Sequence, residues 1–288
     1  MLEKLEKLEK AGFILKPNAP EIRDTFLDIK KIFEERGINV VIAQRSAKMI
    51  GEEGVEFNQM CKECDFLVSL GGDGTLLSLV RRSYGHNKPV LGINAGNLGF
   101  LADVKLSEVD VFVDRLLSGD YRIDDRMMMV GILHREMSSE KFYAFNDIVL
   151  TRPTISKMVK IDAYINNEIF NRYHGDGLIV STPTGATAYS LAAGGPVMYP
   201  LTKAFILTPI CPHSLTQRPL VVPTDFSIEL VSPKDNMIAV VDGQDDYEMQ
   251  EGDRLCITIA KVGAKLLHKT ERNYFSVLRD KLSWGDRE

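Results

Sequence analysis

The residues best suited to chemistry form the string Gly-Gly-Asp-Gly-Thr at positions 71–75, between two apolar stretches. This pattern predicts a buried strand, a glycine turn and a helix. Glycines let backbone N–H groups approach a phosphate closely, and a helix N-terminus adds partial positive charge. A carboxylate there repels phosphate unless it binds a metal or takes a proton from a hydroxyl, as phosphoryl transfer to an alcohol requires. A turn without function is the alternative.

Two further stretches place polar residues beside predicted strands. Segment 94–101 follows the predicted strand 90–94 and contains two glycines and Phe100, whose ring either stacks on a base or fills the core. Asn146 and Asp147 stand inside an apolar strand predicted over 142–150, where burying them costs free energy unless something binds them. Such a pair can bind an adenine or a ribose, and a bend or bulge is the alternative.

The segment 174–196 is small, polar and rich in glycine, and it lies among predicted strands. Its hydroxyls and backbone amides suit ribose, phosphate and carboxamide groups, and Tyr189 adds a ring for stacking. A long structural loop is the alternative, although long loops in compact domains are more often functional. Nearby, His213 is expected to be a buried histidine bonded to backbone rather than a base. Residues 242–244 predict either a hairpin turn or a ligand loop.

The composition is that of a soluble globular protein, with 44% hydrophobic and 26% charged residues among 288. The net charge of -5 gives no support for binding nucleic acid or anionic membranes. No apolar run approaches the roughly 20 residues that span a bilayer. The charged N-terminus does not resemble a secretory signal, so a cytoplasmic location is expected. Cys61 and Cys64 predict buried packing rather than a metal or redox site.

Strand and helix patterns alternate over roughly the first 120 residues, which predicts a parallel sheet with helices on both faces. Lys16, Asp73 and Asn94 come at the carboxyl ends of predicted strands, where one cleft can collect them. After Tyr121, period-2 patterns predict an antiparallel β domain, with a hairpin turn at Asn166-Asn167 between two of its strands. A helix over 275–282 is expected to return to the first domain. The predicted domains are therefore residues 1–121 with 270–288, and residues 122–269.

Taken together, these stretches resemble the NAD kinase family over nearly the whole chain. The string at 71–75 is weak evidence alone, because diacylglycerol, sphingosine and phosphofructo-kinases have similar loops, whereas segment 176–196 is far more specific. The resemblance also covers residues 94–101, 146–147, 212–219, 242–244 and 278–285. It implies an α/β N-terminal domain, a C-terminal β-sandwich and an active site between them. The implied reaction is ATP-dependent phosphorylation of the 2′-hydroxyl of the adenosine ribose of NAD, giving NADP.

The resemblance also implies roles for individual residues. Asp73 corresponds to the family's proton acceptor, and the phosphate loop comprises Gly72, Gly74 and Thr75. The predicted NAD-binding residues are Asp73, Gly74, Phe100, Asn146, Asp147, Lys157, His174, Asp176, Thr187, Ala188, Tyr189, Ser190 and Gln244. Of these, Asn146 and Asp147 hold adenosine, and some contacts cross a subunit interface, so a homodimer or homotetramer is expected. No protein metal site is predicted, because the nucleotide phosphates are expected to hold Mg²⁺.

Two positions depart from the usual family pattern. His174 stands where many members have arginine, and Ala186 stands where serine is usual. An arginine would reach the 2′-phosphate of the product, whereas a partly charged histidine holds it less firmly and with more dependence on pH. Lys157, expected on a neighbouring strand, can share that task.

Two alternative functions are consistent with parts of the sequence. A lipid kinase would need an apolar lipid pocket and usually a membrane-facing surface, and neither is evident. A non-catalytic NAD or NADP sensor would be expected to lack Asp73, which is present. The sequence leaves open the choice between ATP and polyphosphate, between NAD and NADH, and between dimer and tetramer, as well as inhibition by the product.

Overall fold

Two units of different architecture make up the chain, whose computed structural model describes residues 4–96, 99–153 and 158–284. The first unit comprises Met1–Asp125 with Ala264–Glu288, and the second comprises Arg126–Gly263. The predicted fold class is confirmed at the level of an α/β unit followed along the chain by a β-rich unit.

The first unit contains a seven-stranded sheet and the longer helices of the chain. Its strands are β1 (Lys10–Leu15), β2 (Asn39–Ile42), β3 (Phe66–Gly71), β4 (Val90–Asn94), β5 (Val104–Lys105), β6 (Tyr121–Arg126) and β19 (Ala264–Lys269). Its α-helices are α1 (Arg23–Glu35), α2 (Gln44–Ile50), α3 (Phe57–Glu63), α4 (Asp73–Arg82), α5 (Val109–Ser118) and α7 (Tyr274–Leu282). Short 3₁₀ turns cover Pro20–Ile22, Tyr84–His86 and Leu106–Glu108.

This sheet has the order β2-β1-β3-β4-β19-β6, and β5 pairs with the end of β4. The pairings of β1 with β2 and β3, and of β4 with β3, β5 and β19, are all parallel. Because side chains alternate along a strand, Phe13 packs in one core with α1, α2 and α5. The neighbouring Gly12 faces Met60 of α3, and Gly92 faces Leu76 of α4. Helices therefore cover both faces of the sheet.

The second unit is built from two six-stranded sheets. Its strands are β7 (Met129–His134), β8 (Ser139–Ala144), β9 (Asp147–Thr151), β10 (Val159–Ile165), β11 (Glu168–Gly175), β12 (Gly177–Ser181), β13 (Ala204–Ile210), β14 (Leu220–Pro223), β15 (Ile228–Val231), β16 (Met237–Val241), β17 (Asp245–Met249) and β18 (Arg254–Ile259). A 3₁₀ turn at Gly185–Thr187 and the short helix α6 (Tyr189–Ala192) follow β12.

The two sheets, with orders β11-β10-β15-β18-β7-β8 and β14-β13-β12-β9-β16-β17, share one apolar core. Phe142 from one sheet and Phe205 from the other are both buried in it. Asn166 and Asn167, with φ of 51° and 68°, form the two-residue turn between β10 and β11. This left-handed pair matches the hairpin turn expected there, because two-residue hairpins require positive φ.

The single strand predicted over 142–150 is wrong. The chain instead leaves β8 at Ala144 and starts β9 at Asp147, and these two strands belong to different sheets. Phe145 lies between β8 and β9 and is fully buried, so the apolar core continues from one strand to the next. The polar pair Asn146-Asp147 therefore marks a passage between sheets, close to the bend that was the alternative.

Cys61 and Cys64 are fully buried at the end of α3. Burial raises the pKa of the Cys61 thiol to about 11 and that of Cys64 to about 12. Both thiols therefore stay protonated at neutral pH and pack as small apolar groups. Within the described ranges, no helix is both long and apolar enough to cross a membrane.

Candidate functional site

The string at 71–75 lies at the carboxyl end of β3, where the strand order reverses. From β1 the chain moves to β2 on one side and then to β3 on the other. The helices that follow β1 and β3 lie on opposite faces, so a crevice opens beyond the strand ends, which is the usual ligand site of such sheets. The Lys16 N–H donates to the Leu70 carbonyl oxygen at 2.8 Å, and Gly71 pairs in register with Asn94. The strand ends bearing Lys16, Asp73 and Asn94 are thus adjacent.

Asp73 is the first residue of α4, and its half-buried carboxylate accepts three backbone hydrogen bonds. The Phe100 N–H donates to Oδ2 at 2.7 Å, while the N–H groups of Leu101 and Ala102 donate to Oδ1 at 3.1 and 3.0 Å. A carboxylate has about four lone-pair positions, so Oδ2 retains room for a substrate hydroxyl. The arrangement fixes the carboxylate and leaves one position for a proton donor.

The predicted phosphate loop has space beside Gly72 and Gly74. Apart from the flanking residues and the backbone of α4, no described atom lies within 4 Å of the place where a Cβ on Gly72 or Gly74 would be. The first N–H groups of a helix have no carbonyl partner within the helix, and a phosphate can approach them there. Thr75 is different, because it is buried and its hydroxyl packs against Gly71. Its side chain therefore shapes the turn rather than facing the open surface.

The second unit contains a cavity of about 410 Å³, within the size range of ligand pockets. Its lining residues are Asn146, Asp147, Val149, Thr151, Ala188, Tyr189, Val240, Asp242 and Gly243. Four of these, Asn146, Asp147, Ala188 and Tyr189, are predicted NAD-binding residues from two separate segments. Apolar walls with a few polar groups suit a flat base joined to a sugar.

Asp242 shapes the floor of this cavity. It begins the turn between β16 and β17, where Asp242 and Gly243 have φ of 52° and 63°, so residues 242–244 are a hairpin turn. Its carboxylate accepts the N–H groups of Phe145, Asn146 and Asp147 at 2.7–2.9 Å. These bonds satisfy three backbone donors at the passage between the sheets.

The loop after β12 brings Ala188 and Tyr189 to the same cavity. The Thr182 hydroxyl donates to the Phe145 carbonyl at 2.6 Å and accepts the Gly185 N–H at 3.1 Å. A Cβ on Gly185 would overlap the backbone of Asn146, so only glycine permits this approach. The loop is therefore packed against the Asn146 backbone and presents Tyr189, whose side chain is largely exposed, at the rim.

Asp147 is an electrostatically unusual group. It is 4% exposed, and no described residue donates a hydrogen bond to its carboxylate. Burial, and then the charge of Asp242, raise the pKa of Asp147 to about 7. Asp147 is therefore protonated below about that pH.

Asn146 also has an unsatisfied polar group at the cavity. Its Oδ1 atom is buried and has no hydrogen-bond partner among the described residues. A buried acceptor without a donor costs free energy, and a ligand N–H or O–H that enters the cavity removes that cost.

The structure places the other predicted NAD-binding residues outside this cavity lining. Asp176 is half-buried and pairs with Arg152 through two contacts of 3.2 Å. His174 lies on β11 with its ring centroid 5.5 Å from that of His213, which is exposed rather than buried as expected. Thr187 closes the turn 185–187, and Gln244 is exposed on the hairpin. Lys157 lies outside the described residues.

Ser190 and Ala186 are both fully buried. The Ser190 hydroxyl shares a hydrogen bond of 2.9 Å with that of Thr208, which does not support a direct contact with NAD. Alanine at position 186 avoids burying a further hydroxyl, so the departure from serine concerns packing.

Sequence reasoning missed several residues that organise these sites. It did not assign Asp242 its structural role, and it overlooked Arg152 and the buried charged residues Asp103, Asp124, His268 and Arg272. The available signal was a charged or titratable residue inside an otherwise apolar segment, such as His268 after Leu266 and Leu267.

Comparison with known proteins gives consistent matches over both units. Residues 11–121 match the family model of the ATP-NAD kinase N-terminal domain, and residues 145–269 match that of the ATP-NAD kinase C-terminal domain. The NAD kinase of Wolinella succinogenes is 51% identical over 287 residues, covering 99% of each chain. That of Sulfurimonas denitrificans is 49% identical over 279 residues, covering 97% of this chain and 98% of its own.

Solved structures give the same answer. Yeast NADH kinase complexed with NADH superposes with a TM-score of 0.91 at 28% identity, covering 98% of this chain and 89% of its own. An NAD kinase from Archaeoglobus fulgidus in complex with ATP has a TM-score of 0.77 at 24% identity, covering 95% of this chain and 98% of its own, and shows the fold alone. With both domain models matched and relatives near 50% identity over almost the full length, the chain belongs to the NAD kinase family.

Proposed function

We propose that this protein is an NAD kinase, which transfers the γ-phosphoryl group of ATP to the 2′-hydroxyl of the adenosine ribose of NAD. The observation that carries the proposal is the cavity of the second unit, where Asn146, Asp147, Ala188 and Tyr189 meet. These residues come from segments about 40 positions apart, and the family resemblance had selected them as NAD contacts.

Asp73 accepts the proton in the proposed reaction. The 2′-oxygen forms a bond to the γ-phosphorus, the bond from that phosphorus to the bridging oxygen of ADP breaks, and the hydroxyl proton passes to Oδ2 of Asp73. The three backbone donors keep the carboxylate oriented for this transfer. The open backbone at Gly72 and Gly74 receives the phosphates.

Mg²⁺ neutralises phosphate charge when it is bound with ATP. Among the described residues, no group of three or more His, Cys, Asp or Glu side chains is arranged to hold a metal ion. We propose that the triphosphate, rather than protein ligands, holds the cation, as is common for Mg²⁺ in kinases.

The test is to incubate the protein with NAD, ATP and Mg²⁺ and to detect NADP with an NADP-specific dehydrogenase. NAD lacking the adenosine 2′-hydroxyl is the matched control, because it binds in the same way but offers no acceptor oxygen. Parallel reactions replace NAD by NADH, which the yeast relative binds, and ATP by polyphosphate. Formation of NADP from NAD, with no product from the control that lacks the 2′-hydroxyl, supports the proposal. Phosphorylation of diacylglycerol without formation of NADP would reject it.

A second prediction concerns Asn146. Replacing Asn146 by alanine should raise the KM for NAD roughly five- to hundredfold, because losing a partner for a buried group costs about 1–3 kcal/mol. The melting temperature should not fall, since Oδ1 has no hydrogen-bond partner among the described residues. Asn236→Ala, on an exposed turn of the same unit, is the control. An unchanged KM with a lower melting temperature would instead assign Asn146 to folding alone.

Several finer expectations remain proposals. A homodimer or homotetramer follows from the resemblance and can be measured by light scattering. A cytoplasmic location is likewise proposed. We also propose that residues 1–121 and 270–288 act as one domain that the C-terminal helix completes, and that residues 122–269 form the other. Burial of Tyr274, Val277 and Leu278 supports that role for α7.

A further inference from the structure

A buried cluster of charged and titratable side chains in the first unit is not used by the proposed reaction. It consists of Asp103, Asp124, His268 and Arg272, each less than a tenth exposed. Burying charge is costly, and an apolar cluster of similar volume is often at least as stable. The cluster therefore calls for a role beyond holding the unit together.

Arg272 makes contacts in three directions from one guanidinium group. Its Nε lies 2.9 Å from Asp103 Oδ2, and its Nη1 lies 3.3 Å from His268 Nε2. Its Nη2 donates to the Phe100 carbonyl oxygen at 2.5 Å. Only a planar group with several fixed donors can make these contacts together, so lysine is not equivalent to arginine here.

Asp103 is held by the same cluster. His268 Nδ1 lies 3.1 Å from the Asp103 Oδ2 that Arg272 also approaches. Burial disfavours the charge on Asp103, but His268 and Arg272 outweigh it and hold the pKa of this carboxyl below its usual value. His268 and Arg272 thus contact the segment 100–103 at both ends, through the Phe100 carbonyl oxygen and the Asp103 side chain.

The opposite side of the same segment faces Asp73. The three amides that donate to the Asp73 carboxylate belong to Phe100, Leu101 and Ala102. A Cβ on Gly99 would overlap that carboxylate, so the segment lies as close to it as backbone permits. The peptide group between Phe100 and Leu101 therefore contacts Arg272 through its carbonyl oxygen and Asp73 through its N–H.

We propose that Arg272 is a positioning residue for Asp73, which it orients by fixing the Phe100 carbonyl and so aligning the amides of residues 100–102. This inference rests on the proposed function, in which Asp73 takes the proton. Arg272 itself touches neither the substrate nor the reacting atoms in this account.

The informative variant is Arg272→Lys. Arg272→Ala would remove the buried positive charge beside Asp103 and Asp124 and is expected to unfold the unit. Lysine keeps the charge but cannot reach Asp103, His268 and the Phe100 carbonyl together. We expect kcat to fall about 10- to 100-fold, the loss typical of a misplaced catalytic group, with KM for NAD changed less than about threefold. Arg115→Lys, in an ion pair with Asp120 and Glu271 of the same unit, is the matched control and should retain full activity.

Coupling to Asp73 separates positioning from a general loss of structure. In an Asp73→Asn background, Arg272→Lys should cause no further fall in kcat, because residues acting as one unit are not additive. Hydrogen exchange of the amides of residues 100–102 should become roughly tenfold faster in Arg272→Lys and stay unchanged in Arg115→Lys.

Each outcome decides the inference. An unchanged kcat in folded Arg272→Lys, a rise in KM alone, or equal losses in both backgrounds would overturn it. If the unmodified protein forms no NADP, the proposed function fails, and hydrogen exchange alone then tests whether Arg272 fixes the segment: faster exchange supports this and unchanged exchange rejects it.

Discussion

We expect Asp73→Asn to lower kcat by about 10²–10⁴-fold, the usual contribution of a positioned general base, and to leave the KM for NAD nearly unchanged. Asparagine preserves the size of the side chain and keeps one oxygen for the Leu101 and Ala102 amides. It removes the second acceptor oxygen, which in the native protein accepts the Phe100 N–H and has room for the substrate hydroxyl. Steady-state kinetics with NAD and ATP measure both parameters.

The amide nitrogen that replaces this oxygen in Asp73→Asn would face the Phe100 N–H with a donor of its own. We therefore expect the variant also to lose about 1–3 kcal/mol of unfolding free energy, and denaturant unfolding must accompany the kinetics. Asp28→Asn, on the exposed surface of α1, controls for the change of charge. Activity within about threefold of the native protein would remove Asp73 from the role of proton acceptor.

Asp147→Asn should stabilise the second unit at neutral pH while weakening NAD binding. The pKa of Asp147 is raised from 3.8 to about 7, first by burial and then by the charge of Asp242. The unfolded chain loses this proton near pH 4, whereas the folded chain keeps it to about pH 7. Over that interval the folded state binds more protons, so the contribution of Asp147 to stability falls as pH rises and is constant above pH 7.

The size of this effect follows from the interval. At about 1.4 kcal/mol per pH unit, the unfolding free energy of the native protein at pH 8 is about 4 kcal/mol lower than it would be if the side chain at position 147 did not titrate. Unfolding free energies of the two proteins, measured at pH 4 and pH 8, should therefore differ much more at pH 8. Asp246→Asn, on an exposed position of β17, should show no such dependence. A variant that is equally destabilised at both pH values would contradict this account.

A stabilised variant with a higher KM for NAD would show why the carboxyl group is retained. The buried carboxyl of Asp147 has no hydrogen-bond donor among the described residues, which lowers the stability of the free protein. Natural binding sites often carry such costs. If Asp147→Asn gains stability and keeps its KM, the carboxyl does not contact NAD and its retention has no explanation in this structure.

Local patterns in the sequence were sufficient for the parallel sheet and the glycine turn. The apolar run 66–70 and the glycines after it act over a few neighbouring residues, and the strand ends then follow from parallel pairing. The pair Asn166-Asn167 was equally readable, because positive φ at both positions is a local requirement. Of the cavity residues, Asn146, Asp147 and Tyr189 were singled out by local pattern, and the family resemblance then assigned them to NAD.

Interactions between distant residues explain what sequence reasoning missed. Asp242 binds amides that lie 95 to 97 positions away, and nothing near either segment indicates the pairing. Apolar residues stand on both sides of Asn146-Asp147, so the pattern could not show that β8 and β9 belong to different sheets. Arg272 donates a hydrogen bond to the Phe100 carbonyl oxygen, 172 positions earlier. No local pattern distinguishes this residue from an ordinary surface arginine.

The place of β19 in the first sheet has a consequence for how the protein is made. This strand lies between β4 and β6, yet a ribosome synthesises it after the whole of the second unit. During synthesis, β4 and β6 must therefore wait with unpaired edges, which exposes them to wrong pairing and aggregation. His268 and Arg272 arrive with the same segment. The N-terminal unit is thus the first to begin folding and the last to finish, and Asp73 acquires its full surroundings only after β19 and Arg272 have been synthesised.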